Sequence, residues 1–442
     1  MIKPVVMSLA ILFALPALSQ VEPSAVGGEV TPTESEQMVI PPPISVIPYP
    51  TELGSEVRTN YISSGLIFTS SYEDNVLPGY TPVPISDYSY YILPTFSLRQ
   101  QASRHAIALT YTPGFQFYQN ATSLNAVDQN AEARIQYRFS RRATLNLRDS
   151  FQQNSSAFDQ PFVIPGAVSG AIQGATSIVI APYANQVMNA LAGEFSYQFA
   201  LHGMIGGGGT SSILNYPQLS QVPGLLNSTS TGGAAFYNRR FKGEQYSGVV
   251  YQYTRSTTSP VSSTTQLHQL ALFYTLYWHR KLTFSLAAGP EYYDVAQPGA
   301  PTSSAWSPSV TASLGWQERH FNFAANYSHL VSAGGGLLGA YKMNSADGEA
   351  RWQITPMWTM GLTASYSIVK NAIPLMQYSY PGGHSVIGEA SIQRRLGERI
   401  TIQGGYDRLH QSYSGVALVN NAPDSNRGFI SIAYQFTHRL GR

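Results

Sequence analysis

From about residue 56 onward, hydrophobic and polar residues alternate along the chain with a period of two. In the segment 321–327, one face carries Phe, Phe, Ala and Tyr, and the other carries Asn, Ala and Asn. In 358–368, one face is apolar throughout, while the other is Thr, Gly, Thr, Ser and Ser. Because successive side chains of a β-strand point to opposite faces, this pattern predicts a series of strands that each have one apolar face.

Counting these segments gives about 18 strands, with 16 as the alternative. They begin near residues 57, 88, 104, 127, 142, 185, 201, 233, 244, 264, 281, 305, 320, 344, 357, 383, 399 and 427. The connections alternate between short and long, and the long ones lie near 73–86, 118–126, 154–184, 212–232, 255–263, 292–304, 329–343, 370–382 and 411–426. Outer-membrane barrels have short periplasmic turns and longer external loops, so both termini are expected in the periplasm.

A soluble β-sandwich also shows alternation, but three features favour a membrane barrel. The polar faces are small and mostly uncharged, aromatic residues lie at strand ends, and the strands run to ~9–14 residues, against ~5–6 in soluble sheets. Charged residues make up 11% of the chain and aromatic residues 12%, and cysteine is absent. The sequence therefore predicts an all-β fold: one transmembrane antiparallel β-barrel in the bacterial outer membrane.

The chain before the barrel divides into two segments. Residues 1–19 resemble a signal peptide, with Lys3, a short apolar core and small residues before a cleavage point at Gln20. A retained anchor helix is the alternative. Residues 20–55 are rich in proline and are expected to form a periplasmic linker, which is either a solvated spacer or a docking segment for a partner. Residues 56–442 form the predicted barrel.

Most lysine and arginine residues lie beside the short connections. The predicted periplasmic basic rim consists of Arg104, Arg141, Arg142, Arg239, Arg240, Lys242, Arg280, Lys281, Arg319, Arg395 and Arg399. One explanation is contact with lipid phosphates, which would make outer-membrane lipid a partner. The other is a positive mouth that concentrates an anionic solute or polymer. The two explanations are compatible.

A second set of charges falls on predicted polar faces. These candidate lumen residues are Glu132, Arg134, Arg138, Arg148, Asp347, Glu349, Arg351 and Glu389. Charges of both signs that face a lumen would order water and set selectivity. They could equally pair across strands and fill the barrel interior. Both alternatives stay open at the level of sequence.

The connection 154–184 is the longest and is unusually apolar. Its segments 162–168 and 178–182 carry runs of Phe, Val, Ile and Ala that a fully solvated loop would not contain. We expect this loop to fold into the channel as a constriction, and the alternative is packing on the rim or against a partner protein.

Recognisable catalytic chemistry is sparse. The nine histidines form no His-Glu-x-x-His arrangement, and the glycines at 206–209 lack a following Lys-Ser/Thr. No cofactor, metal site or catalytic residue is predicted, and the expectation is a protein that is not an enzyme. An outer-membrane lipid hydrolase with a Ser–His pair is the less favoured alternative. The net charge of +2 gives no indication of nucleic-acid binding.

A short region resembles a known family. The residues 71–76 (Ser-Tyr-Glu-Asp-Asn-Val), followed by Ser86 and Asp87 and then the strand 88–98 with Pro94, are similar to the opening of a β-barrel porin family found with exopolysaccharide biosynthesis systems. The similarity covers about forty residues, and one departure from barrels in general is that residues 437–442 follow the last aromatic residue. The resemblance implies a role in exporting or anchoring a surface polysaccharide.

These observations lead to one leading function and its alternatives. The first expectation is an outer-membrane pore that serves polysaccharide export or passive solute passage. The alternative is a non-conducting barrel that scaffolds a cell-envelope complex. Expected partners are outer-membrane lipid and the barrel-assembly machinery, with an anionic polysaccharide and periplasmic export components as further candidates.

Overall fold

The structure is a computed structural model of the chain. It describes residues 60–155, 158, 184–217, 219, 225–241, 245–260, 262–278, 281–299, 301–335, 340–372, 382–397, 399–414 and 421–440. Within these ranges the chain forms eighteen β-strands and a single 3-10 turn, Thr122–Leu124. In the same ranges, no helix is long and apolar enough to cross a membrane.

The strands follow one another along the chain as antiparallel neighbours. Their bounds are β1 Tyr61–Glu73, β2 Asp87–Gln101, β3 His105–Tyr118, β4 Ala126–Arg138, β5 Ala143–Asn154, β6 Gln186–Ala200, β7 Gly203–Asn215, β8 Asn227–Arg240, β9 Gln245–Ser259, β10 Ser263–Trp278, β11 Leu282–Ala296, β12 Ser303–Gln317, β13 Phe321–Ser332, β14 Tyr341–Gln353, β15 Trp358–Asn371, β16 Gly382–Leu396, β17 Ile400–Ser414 and β18 Asp424–Arg439.

The sheet closes on itself. β1 pairs with β2 on one side and with β18 on the other, so that Tyr61 lies opposite both Arg99 and Arg439. Closure removes the free edges that would leave backbone groups unpaired in a bilayer. The predicted closed antiparallel barrel of about 18 strands is confirmed, and both described ends of the chain lie at the end of the barrel that carries the short turns.

The exterior of the barrel is apolar. Large hydrophobic side chains are exposed at alternate positions of the strands, including Leu66 at 48%, Leu272 at 71% and Trp306 at 68%. The intervening positions are small and polar, as at Ser63 and Ser71, and are buried. Exposing this much hydrocarbon to water would be costly, whereas a lipid bilayer solvates it. The chain is therefore a bacterial outer-membrane barrel, as predicted.

The structure corrects two predicted boundaries. β8 begins at Asn227 rather than near 233, and the supposedly long connection at 255–263 consists of residues 260–262 alone, because β9 and β10 extend into it. In both places the sequence is rich in Ser and Thr on both strand faces, as in 227–231 and 254–259. A strand that is polar on both faces shows no apolar alternation, so its ends were underestimated. The strands are 12 to 16 residues long, slightly longer than predicted.

One seam of the barrel is only half paired. β12 pairs with β11 over almost its whole length, but it pairs with β13 only from Val310 to Gln317. Beyond that point β13 turns into the barrel, where the backbone N–H of Val331 donates to the carboxylate of Glu291 at 3.0 Å. Val331 is fully buried and packs in a cluster with Tyr293 of β11. The external half of the wall is thus two layers thick at this seam.

Candidate functional site: the barrel interior

The inner surface is polar along its length. Serine hydroxyls form hydrogen-bonded pairs across neighbouring strands, at 2.7 Å between Ser71 and Ser89 and at 2.6 Å between Ser367 and Ser385. These side chains satisfy one another without charge, and hydroxyl groups retain further capacity to bond water or a solute. The interior therefore offers a hydrophilic surface inside an apolar shell.

One wall of the interior is basic. Glu132, Arg134 and Arg148 lie on the inner faces of β4 and β5, where the Glu132 carboxylate accepts from Arg134 Nε at 2.7 Å and from Arg148 Nε at 3.1 Å. Arg138 lies on the same face of β4, four residues beyond Arg134 toward the short-turn end. The predicted lumen residues of this wall sum to +2, and the buried inward carboxylate of Asp128 lowers the formal charge of the β4–β5 inner face to +3 − 2 = +1.

A second wall, on β14 to β16, has the opposite sign. The strand register places Glu349, Thr363 and Glu389 in one row across the three strands. Asp347 accepts a hydrogen bond from Ser365 at 2.5 Å. Arg351 donates to the Gln393 side-chain oxygen at 3.2 Å. Three carboxylates and two guanidinium groups, the second being Arg395 at the short-turn end of β16, give this wall a formal charge of −3 + 2 = −1.

The two walls face each other across the barrel. From β4 to β14 the ring of strands counts ten steps in one direction and eight in the other, so the walls are nearly diametrically opposed. Opposed charges on the two sides of a low-dielectric shell create an electric field across the lumen. All eight predicted lumen residues thus lie on inward faces, and they separate into two groups that the sequence alone did not distinguish. Their effect on selectivity stays a prediction.

An ion pair that the sequence analysis missed lies beside the acidic wall, on the neighbouring strands β17 and β18. Asp407 of β17 accepts from Arg427 Nε of β18 at 2.7 Å, and the two side chains are only 6% and 19% exposed. Strand alternation places both residues inward, and that signal was available in the sequence. Their mutual contact was not, because it depends on the register between β17 and β18.

The long loop after β5 begins by crossing the interior. Phe158 and Ile387 both pack against Leu409 of the inner wall, and the Phe158 ring centre lies 4.5 Å from the Arg427 guanidinium carbon. Since β5 and β17 are six steps apart around the ring, this contact spans a chord of the barrel. Phe158 therefore lies inward, as a constriction loop requires, while the apolar segments 162–168 and 178–182 lie outside the described residues.

The connection after β13 also enters the interior. The Thr265 hydroxyl of β10 donates to the carbonyl of Ala333 at 3.5 Å. Gly335 lies against Leu214 and Ser228 of β7 and β8, close enough that an added Cβ would sit 2.9 Å from the Ser228 hydroxyl oxygen. Segments from two loops thus narrow the external end of the barrel.

The residues that carry the family resemblance have a structural role. Asp74 accepts from the backbone and side-chain amides of Asn426, and Asn75 donates to carbonyl oxygens of the β17–β18 connection and of β18. Asp87 accepts from the backbone N–H groups of Asn120 and Ala121. These short polar side chains fasten the first external loop to its neighbours, which explains why the segment has acidic and amide residues at these positions.

The predicted basic rim combines turn residues with interfacial arginines. Arg104, Arg141, Arg142, Lys281, Arg319 and Arg399 lie in short turns, Arg239, Arg240 and Arg395 lie at strand ends, and Lys242 and Arg280 lie outside the described residues. The guanidinium carbons of Arg239 and Arg399 lie 5.8 Å from the Phe241 ring centre and 5.7 Å from the Phe436 ring centre, respectively. Cations stacked on exposed aromatic rings are typical of a membrane interface. These arginine–aromatic contacts are those expected of residues that face lipid headgroups. An effect of the basic rim on anionic solutes stays a prediction.

The described residues contain no group of three or more His, Cys, Asp or Glu side chains arranged to hold a metal ion.

Comparisons with known proteins give fold-level similarity alone. No protein-family model matches the sequence, and no curated protein matches it. Among solved structures, Pseudomonas aeruginosa OccK2 (OpdF) is 9% identical, with 87% of this chain and 100% of that chain covered and a TM-score of 0.42. A structure described as a bacterial polysaccharide outer membrane secretin is 10% identical (85% and 98% covered, TM-score 0.34), and the unliganded ferric citrate transporter FecA is 11% identical (82% and 61% covered, TM-score 0.42).

Proposed function

We propose that this chain is an outer-membrane channel for small hydrophilic solutes. The observation that supports the proposal is the pair of oppositely charged inner walls, on β4–β5 and on β14–β16. A barrel that served only as a scaffold would gain nothing from walls of opposite net charge facing its lumen, because burying net charge is costly. In a water-filled lumen the same charges stay hydrated and act on the solutes that pass.

The inward loop segments favour small solutes. Phe158 on one side and Ala333 to Gly335 on the other reduce the free cross-section near the external end. A passage narrowed in this way admits a small polar molecule more readily than a folded polymer.

Export of a surface polysaccharide is the second candidate. The observation that favours it is the hydroxyl-rich inner surface, which includes the paired serines of β1–β2 and β15–β16. Hydroxyl groups bond sugar hydroxyls without binding them tightly, which suits a moving glycan. The segment 71–76 and Asp87 add the family resemblance. For this function the loop segments would have to move aside, and periplasmic export components would be the partners.

Planar-bilayer recording of the purified barrel tests the channel. We expect single-channel conductance from the complete protein and a larger conductance after deletion of residues 156–182. If neither protein conducts, the channel proposal is wrong and a scaffold is favoured. Hydrolysis of labelled phospholipid by the same preparation would instead support the lipid-hydrolase alternative.

A strain that lacks the gene separates the two transport candidates. Loss of surface polysaccharide, restored by the complete protein, would support export. Unchanged polysaccharide together with slower uptake of a small solute would support the passive channel.

A further inference from the structure

A cavity of about 270 Å³ is set into the acidic inner wall. We call it the wall cavity, and its polar lining includes Glu349, Arg351, Thr363, Glu389, Gln393 and Gln403. Since a water molecule occupies about 30 Å³ in the liquid, this volume suits a solute about the size of a single sugar or amino acid.

Two carboxylates flank the part of the wall cavity that is nearer the external end of the barrel. Glu349 and Glu389 lie on either side of Thr363, two strand spacings or about 10 Å apart at the backbone. Among the described residues, neither carboxylate forms a hydrogen bond or an ion pair. They repel each other, and the nearby Arg351 offsets this repulsion for Glu349. A cationic group between the two carboxylates would relieve the repulsion and gain two charge-assisted hydrogen bonds.

Hydrogen-bond donors line the part of the wall cavity that is nearer the short-turn end of the barrel. Arg351 lies two residues along β14 from Glu349, which is about 7 Å in an extended strand. Its guanidinium group is oriented by the Gln393 side-chain oxygen. The amide of Gln403, opposite Gln393 in the register, supplies a further donor and acceptor. This part of the cavity suits hydroxyl or carboxylate oxygens of the same solute.

We infer that the wall cavity is a binding subsite for a small solute that carries an ammonium group together with hydroxyl or carboxylate groups, such as an amino sugar or an amino acid. The ammonium group lies between Glu349 and Glu389, and the oxygen atoms face Arg351 and Gln403. This inference rests on the proposed channel function, since the cavity opens onto the lumen. It also means that the solute preferred here is cationic at one end, rather than the anionic polymer that the basic rim suggested.

Current block in planar bilayers tests the subsite with three matched sugars: cationic glucosamine, neutral glucose and anionic glucuronate. We expect glucosamine to reduce the single-channel current at a concentration about tenfold lower than glucose does, with glucuronate weaker still. The double variant Glu349→Gln/Glu389→Gln should abolish the difference between glucosamine and glucose. The control Glu318→Gln, in a short periplasmic turn, should preserve it.

Equal block by glucosamine and glucose in the unaltered protein would overturn the inference, and so would preferential block by glucosamine that persists in the double variant. Saturation-transfer NMR on the complete barrel in detergent measures glucosamine binding whether or not the barrel conducts. A barrel that binds glucosamine through the two glutamates without conducting refutes the channel but supports the subsite. A barrel that conducts without such binding refutes the subsite alone.

Discussion

Removal of the Asp407 charge should destabilise the barrel far more than removal of a comparable exposed charge. Asp407 and Arg427 form a 2.7 Å ion pair whose side chains are 6% and 19% exposed. In Asp407→Asn, the guanidinium group of Arg427 stays largely buried and loses its 2.7 Å contact with the Asp407 carboxylate. Removing one partner of a buried ion pair typically costs about 3–5 kcal/mol, because the remaining buried charge loses a compensating interaction.

The matched control is Asp424→Asn. Asp424 pairs with Arg408 at 3.0 Å on neighbouring strands, but these side chains are 49% and 55% exposed. Solvent hydrates the remaining charge there, and an exposed pair typically contributes about 0–1 kcal/mol. The ratio of the two losses in unfolding free energy, rather than either loss alone, measures the effect of burial.

Denaturant unfolding of the barrel refolded in lipid vesicles, followed by fluorescence of the five tryptophans, measures both losses. The double variant Asp407→Asn/Arg427→Gln should recover part of the stability lost in Asp407→Asn, because it also removes the buried guanidinium charge that Asp407 compensated. If Asp407→Asn loses no more stability than Asp424→Asn, or if the double variant is the least stable of the three, the reasoning from burial is wrong.

Three further predictions address the loop, the packing and the orientation. Phe158→Ala removes a cation–π contact with Arg427 worth about 0.5–2 kcal/mol, so the loop should undock more often and single-channel recordings should show larger, noisier currents; unchanged recordings would contradict an inward loop. Gly289→Ala places a Cβ 1.8 Å from the Leu270 carbonyl oxygen, whereas Gly428→Ala meets nothing within 4 Å, so the yield of heat-modifiable folded barrel should fall only for Gly289→Ala. An epitope tag inserted beside Asn421 should be labelled on intact cells and one inserted near residue 243 should not, and the opposite labelling would invert the topology.

Local residue pattern was sufficient to predict the strands. In β15, apolar residues recur at every second position, so the strand, its outward face and its length all follow from side-chain geometry. Where a strand is polar on both faces, its boundary was predicted wrongly. The first residues of β8 are polar on both faces, and nothing in the local sequence distinguishes them from a loop.

The candidate site could be predicted in part. Alternation was enough to place Glu132 and Glu349 on inward faces. It did not show that one belongs to a basic wall and the other to an acidic wall, because each wall is assembled from separate strands. Nor did it show that Glu349 and Glu389 flank one cavity, since forty residues separate them in the chain and only the register brings them together.

By itself, the sequence determined the class of fold, the approximate strand count, the apolar exterior and the inward position of most polar residues. These properties depend on neighbours two residues apart, and the alternation of side chains on a strand encodes them directly. Only the tertiary structure decided the register in which β1 pairs with β18, the inward turn of β13, the contact of Phe158 with the opposite wall and the division of lumen charges. Each of these depends on register and on contacts between residues far apart in the chain, and no local pattern contains that information.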